Sequence, residues 1–254
     1  MTEPTKKISV KNEKLVTIHK NLNSLINNNI NALPKDFNQT RFLQNCMAVI
    51  MDTPDIQKCE SISIARTMLK GAFLGLDFFM RECYAIAYGN TLTFQTDWKG
   101  EVKVLRKYSI RPIKSIFAKI IKEGDTYEES IIDGKSKMKH IPLSLGKGKI
   151  IGAYAVCLFE DGELLYESMN TQEIEYIRDT FSKQPKGKAW SVFGEMARKT
   201  AMRRLRKSIT VDFSVQQQQA WDDGGDSEFK PKQIEHTATS SLDAPIDVNA
   251  EVVK

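Results

Sequence analysis

No run of about 18 apolar residues occurs anywhere in the 254-residue chain, so a membrane span is not expected. The opening MTEPTKKISVKNEK lacks the apolar segment of a secretory signal, and the chain is expected to be intracellular. Cysteine is scarce: Cys46, Cys59, Cys83 and Cys157 lie far apart without a CxxC pair, which excludes a disulfide framework or zinc knuckle and leaves reduced core residues. The three histidines, His19, His140 and His236, form no ligand cluster with them. A phosphate-binding GxxxxGK[ST] loop is missing, since Gly134-Lys135-Ser136 has no earlier glycine and GKGK at 146–149 lacks both spacing and hydroxyl. GxSxG, HExxH and HxE with PCxxC are missing too. Asp77, Asp97, Glu123 and Asp125 are dispersed carboxylates that only folding would bring together as a metal site. No cofactor and no covalent chemistry are expected.

Positive charge is what the chain does have, unevenly spread. Residues 216–254 hold three Lys against eight acids, whereas the remainder carries 34 basic and 24 acidic residues. A basic body with an acidic tail suits a protein that handles nucleic acid. From Lys186 to Lys207 there are eight Lys or Arg against the single Glu195. Ser182 to Lys188, with Pro185 and Gly187, reads as an exposed loop. Beyond Ser191 a helix puts Phe193, Met196, Ala197, Thr200, Ala201 and Leu205 on one apolar face, with Lys199, Arg203 and Arg206 as a basic ridge on its flank. Arg204 falls near the middle of the apolar face, to be paired inside the fold or to reach a groove. On this reading, reversing Lys199, Arg203 and Arg206 to Glu leaves the fold intact.

Residues 1–36 read as a partly helical arm with a weak apolar pattern (Leu15, Ile18, Leu22, Leu25, Ile26), either docked on a neighbouring subunit or loosely held. Helices follow over Phe37–Met51 and Ser61–Leu74, the second closed by Gly75. The period then changes to two. Cys83–Tyr88 and Thr91–Thr96 flank Gly89-Asn90 as a hairpin, with Ala85, Ala87, Leu92 and Phe94 on one side and Tyr84, Ile86, Tyr88, Thr91, Thr93 and Gln95 on the other. Asp97 caps a helix whose Trp98, Val102 and Leu105 form an apolar stripe beside a second basic one, Lys99, Lys103 and Arg106. Two such ridges favour a groove that follows a phosphate backbone. Strands are expected at Ile113–Lys122, Tyr127–Ile132, Ile150–Phe159 and Leu164–Met169, with DGKSKMKHIPLSLGKGK as a basic loop. Asn170 and Glu173 open a further helix as a capping box. The order predicts an α+β fold: a small antiparallel sheet with a hairpin and packed helices. Residues 213–254 read as an acidic, largely disordered tail, with Trp221 and Phe229 as either a docking motif or stray aromatics.

Several blocks resemble the RecT family of phage single-strand annealing proteins, recombinases related to lambda Red beta. They are LGLDF (74–78), CYAIAYGNTLTFQTDWKG (83–100), KEGD (122–125), HIP (140–142), IIGAYAV (150–156) with the EDGE turn, MNTQEIEYIR (169–178), Trp190, and EMARKTAMRRLRK (195–207). They span roughly residues 40–212. One departure is Phe78, where the family usually has proline.

The resemblance implies an annealing core over 37–212 that binds single-stranded DNA in a basic groove and pairs complementary strands without ATP, within homo-oligomeric rings or helical filaments in the bacterial host cytoplasm. It implies that Lys99, Lys103, Arg106, Lys186, Lys188, Arg198, Lys199, Arg203, Arg206 and Lys207 hold phosphates. Phe94, Gln95 and Trp98 would touch bases or sugars at the groove floor, although the apolar stripe of Trp98 places it rather in the core. The annealed duplex is the product, and a phage exonuclease and the host single-strand binding protein are the partners expected at the tail. Two readings compete: a regulatory or replication protein reading a fixed duplex site, and a magnesium-dependent nuclease.

Overall fold

The computed structural model of the chain describes residues 3–143 and 148–226. The fold is α+β, as the change of period predicts. Four helices lead: α1 (Glu3–Asn28), α2 (Gln39–Asp52), α3 (Pro54–Lys58) and α4 (Ser61–Leu74). The hairpin β1 (Cys83–Tyr88) and β2 (Thr91–Thr96) precedes α5 (Trp98–Tyr108). Then come β3 (Ile113–Lys122), β4 (Thr126–Ile132), β5 (Lys135–Ile141), β6 (Ile150–Phe159) and β7 (Leu164–Asn170). Three helices complete the described residues: α6 (Thr171–Phe181), α7 (Phe193–Lys207) and α8 (Val215–Asp226).

Local signals set the helix ends. Asn38 and Asp97 accept from the backbone N–H of Arg41 and Lys99 to start α2 and α5. The Asn170/Glu173 capping box opens α6, and Gly75 closes α4 at φ 66°. The β1–β2 register is the expected one, Ala85 opposite Phe94 and Tyr84 opposite Gln95, and Gly89 supplies the positive φ of the two-residue turn.

The strands form three small antiparallel sheets: β1–β2, β3–β6–β7 and β4–β5. Ala153, Ala155, Cys157 and Phe159 of β6 join the main core with α7, while Tyr154 and Val156 meet Tyr127 and Met138 of the β4–β5 hairpin. The β3–β6–β7 sheet is therefore sandwiched between α7 and that hairpin. The stretch expected to be a basic loop is a strand from Lys135 to Ile141, turned by Asp133 and Gly134 at positive φ. At the hairpin base Asp125 accepts from the N–H groups of Lys122 and Leu143 and contacts His140 Nε2 at 3.1 Å, with the other ring nitrogen 2.9 Å from Tyr154 Oη. Those backbone hydrogen bonds, then the imidazole, pull the Asp125 carboxyl from its ordinary 3.8 to about 2.

The boundaries expected at 36/37 and 212/213 fall inside one packed body. Ile18, Leu22 and Ile26 of α1 are fully buried, and α1 packs on α4 of its own chain. Each such side chain contributes about 1.5–3 kcal/mol by leaving water, enough to hold a helix of weak intrinsic preference. At the other end α8 lies on α4 and β2, with Ala220 and Trp221 buried. Lys70 meets Asp223 at 2.7 Å, and Gln217 Nε2 donates to the Phe73 carbonyl at 3.2 Å. Composition marks this segment as tail, yet one aromatic face and two small glycines let it fit. A Cβ at Gly224 would meet Phe94 at 2.8 Å. Phe229 and the rest of 227–254 lie outside the described residues. Phe78, where the family pattern has proline, is a core side chain edge-on to Phe94 with ring centroids 6.0 Å apart.

Under α8 lies a buried ion pair. Arg206 Nη1 donates to Glu101 Oε1 at 3.0 Å, the same oxygen accepts from Thr96 Oγ1 at 2.9 Å, and the guanidinium stacks 4.5 Å from the Trp221 ring centre. Both charged side chains are below 5 % exposed. Glu101→Ala strands the Arg206 charge and is expected to lower stability by about 3–5 kcal/mol in urea unfolding, whereas Glu101→Leu with Arg206→Met recovers most of it. Equal losses in both would mean no coupling. Asp125→Asn tests the hairpin latch. Its folded-state value lies below the ordinary 3.8, so the stability difference from wild type is expected in full above about pH 4 and to fade as pH falls towards 2.

Candidate nucleic-acid interface

The expected site residues divide by depth. Phe94 is 1 % exposed on the face of the β1–β2 hairpin that meets α4 and α8, and Gln95, on the opposite face, is 7 % exposed. Neither reaches a ligand at the surface. Trp98, which its apolar stripe places in the core, is instead 55 % exposed at the first turn of α5.

The α7 ridge does not exist as a ridge. Arg203 and Arg206 are buried at 5 % and 3 %, and Arg206 lies between Glu101 of α5 and Trp221 of α8. Lys199 is half-buried, Lys207 is exposed, and Arg198 is paired with Glu195 one turn away. Arg204 lies at the rim, its guanidinium 3.3 Å from Glu173 and 3.6 Å from Glu167. The α5 stripe does stand at the surface. Lys99 and Arg106 are exposed, and Lys103 is held 2.7 Å from Glu82.

A continuous strip joins that stripe to the loop before α7. Tyr84 and Tyr88 alternate on the outer face of β1, about 13 Å apart at 3.3 Å per residue. Tyr84 Oη lies 3.4 Å from Asp97, beside Trp98, and Lys99 Nζ sits 5.9 Å from the Trp98 ring centre. At the other end Lys183 Nζ stands 5.4 Å over the Tyr88 ring. Lys186 and Lys188 follow in a loop closed by Ser182, whose Oγ accepts from the Trp190 indole and the Gln184 N–H. Close packing fixes the α5 end, since a Cβ at Gly100 would come 2.0 Å from the Glu82 carbonyl oxygen. The arrangement offers flat apolar faces between cations, the chemistry that holds an anionic chain bearing aromatic rings. The sequence leaves open whether Tyr84 and Tyr88 face DNA or the core, and gives no signal for Lys183; the tyrosines stand at the surface. The signal for the two tyrosines was alternation on β1, with the opposite side identified by its alanines.

No helix among the described residues is long and apolar enough to cross a membrane. Nor do three of His, Cys, Asp and Glu converge among them. Asp77 accepts from Asn45 and the Phe79 N–H, Asp97 caps α5, and Asp125 latches the β4–β5 hairpin. The two depths make a direct test: Lys186→Glu with Lys188→Glu is expected to change stability by less than about 0.5 kcal/mol, as surface substitutions do. Arg203→Glu with Arg206→Glu is expected to unfold the protein, and a native far-ultraviolet spectrum from that variant would refute the burial.

Comparison with known proteins agrees with the sequence blocks. The chain is 26% identical over 204 residues to Protein RecT of Escherichia coli (strain K12), covering 76% of this chain and 74% of that protein. The sequence model of the RecT family matches residues 40–235, a span that takes in the hairpin strip, the buried ion pair and α8. With that match over most of its length, the chain belongs to the RecT family.

Proposed function

We propose that this protein anneals complementary DNA strands without ATP or covalent chemistry, and so promotes homologous recombination. Membership of the RecT family supports a recombination and single-strand annealing role. The observation that carries the finer reading is the strip of Tyr84, Tyr88 and Trp98 between Lys99 and Lys183, continued by Lys186 and Lys188. Aromatic faces accept any base and cations accept any phosphate, so such a strip binds without regard to sequence and leaves specificity to pairing between strands. A strand laid on it by its phosphates and some of its bases presents other base edges to a second strand.

In this reading the DNA-binding set is Lys99, Lys103, Arg106, Lys183, Lys186, Lys188, Lys199 and Lys207 with the three aromatics, and Arg203 and Arg206 are structural. Copies of the chain line up as a ring or filament so that the strip is continuous from subunit to subunit. Partners for recombination, an exonuclease and a single-strand binding protein, dock on residues 227–254, because 215–226 is occupied in the core.

A fluorescence assay with two complementary oligonucleotides, no nucleotide and a scrambled control tests the activity. Faster pairing of the complementary strands only is expected, falling steeply with salt; tight binding to one duplex sequence without acceleration would refute it. Tyr84→Ala, Tyr88→Ala and Trp98→Ala are each expected to weaken single-strand binding by about 1–3 kcal/mol in anisotropy titrations. Removing residues 227–254 is expected to leave annealing in vitro intact, and a folded truncation that fails to anneal would assign that segment to the core activity.

A further inference from the structure

The β4–β5 hairpin carries a cationic row that the strip does not use. Along β5, Lys135, Lys137 and Lys139 are exposed while Ser136, Met138 and His140 turn inward. At about 3.4 Å per residue, successive lysines stand about 6.8 Å apart. That is about twice the 3.4 Å rise of a stacked strand, so the row matches alternate phosphates of a stacked chain or successive ones of a stretched chain. On the neighbouring strand the residues opposite are Ile132, Ser130 and Glu128, and Glu128 lies 3.8 Å from Lys139. Counted over these two strands, the outer face keeps an excess of two positive charges, flanked by exposed Ile132 and Ile141, and Lys135 and Lys137 line one cavity with Arg111, Asp161 and Glu163.

The inner face is anchored to the sheet through apolar contacts and hydrogen bonds. Met138 sits in the apolar cluster with Tyr127, Tyr154 and Val156. His140 bridges Tyr154 and Asp125, and Glu129 accepts from Tyr127 Oη at 2.7 Å and from Ser168 Oγ at 3.0 Å. The lysine row is therefore fixed relative to the sheet. It also lies on the sheet face opposite α7 and α6, whereas Lys183, Lys186 and Lys188 lie in the loop that joins those two helices.

We infer that Lys135, Lys137 and Lys139 form a second phosphate-binding surface, and that its ligand is the backbone of the incoming complementary strand. The inference rests on the annealing reading and divides its labour: one surface stores a strand, the other captures the strand to be tested against it.

The test uses the full chain with all three lysines changed to Gln, and a companion with all three changed to Arg. Circular dichroism and the thermal midpoint of both are compared with wild type. First-strand affinity, read by anisotropy with one labelled oligonucleotide, is expected to stay within twofold of wild type in the Gln variant. The rate at which protein loaded with that oligonucleotide pairs with its complement is expected to fall at least tenfold. The log–log salt slope of that rate is expected to shrink by about 2, from three contacts at about 0.7 each. The Arg variant is expected to restore both. A Gln variant that anneals at the wild-type rate would show lysines that only guard an edge strand. First-strand affinity falling by the same factor as the rate would merge the two surfaces into one. Wild-type protein that does not anneal would overturn the annealing reading itself, an outcome distinct from either.

Discussion

Four elements meet at one carboxylate. Glu101 Oε1 receives Arg206 from α7 and Thr96 from β2, and it stands on α5; the stacked ring of Trp221 brings α8 over the guanidinium. A buried charge is tolerated only where its partner and its hydrogen bonds are held in place, so none of these elements can shift without exposing a mismatch to a low-dielectric interior. Strand β1, which carries Tyr84 and Tyr88, is one strand away from this junction, and the helix that carries Trp98 and Lys99 includes Glu101 itself. The surface strip is thus referenced to the buried pair, and its spacing is that of a rigid body.

This arrangement separates two uses of arginine and lysine on one chain. Arginine, with its planar fork and weaker hydration, is the residue used inside: Arg206 is sealed between a carboxylate and an indole, while Arg106 and Arg204 stay at the surface. Lysine, compact and strongly hydrated, stays out along α5, the loop before α7 and the outer face of β5. Some surface lysines are tied down, Lys103 to Glu82 and Lys107 to Asp36, which fixes their position at some expense in available charge.

Much of the fold was legible because its signals are local. The β1–β2 register followed from alternation around Gly89-Asn90, and the helix starts from Asp97 and Asn170. The fate of Arg206 was not legible, since its partner lies 105 positions away and its cover comes from a segment whose composition resembles a solvated tail. Helical phase alone assigned Arg203 and Arg206 to a flank; it does not say whether a second layer covers that flank. Trp98 shows the converse, an aromatic on an apparently apolar stripe that no layer covers. Strand β5 escaped because neither of its faces is a run of large apolar residues, although Asp133-Gly134 carried the turn signal.

The order of the elements has a consequence for synthesis. Helix α8 is the last described element to leave the ribosome, and until it arrives Trp221 cannot shield the guanidinium beneath it. A nascent chain that has reached Lys207 but not Trp221 has Glu101 to pair with Arg206 but no ring to cover the guanidinium. Arrival of α8 completes the enclosure of the guanidinium.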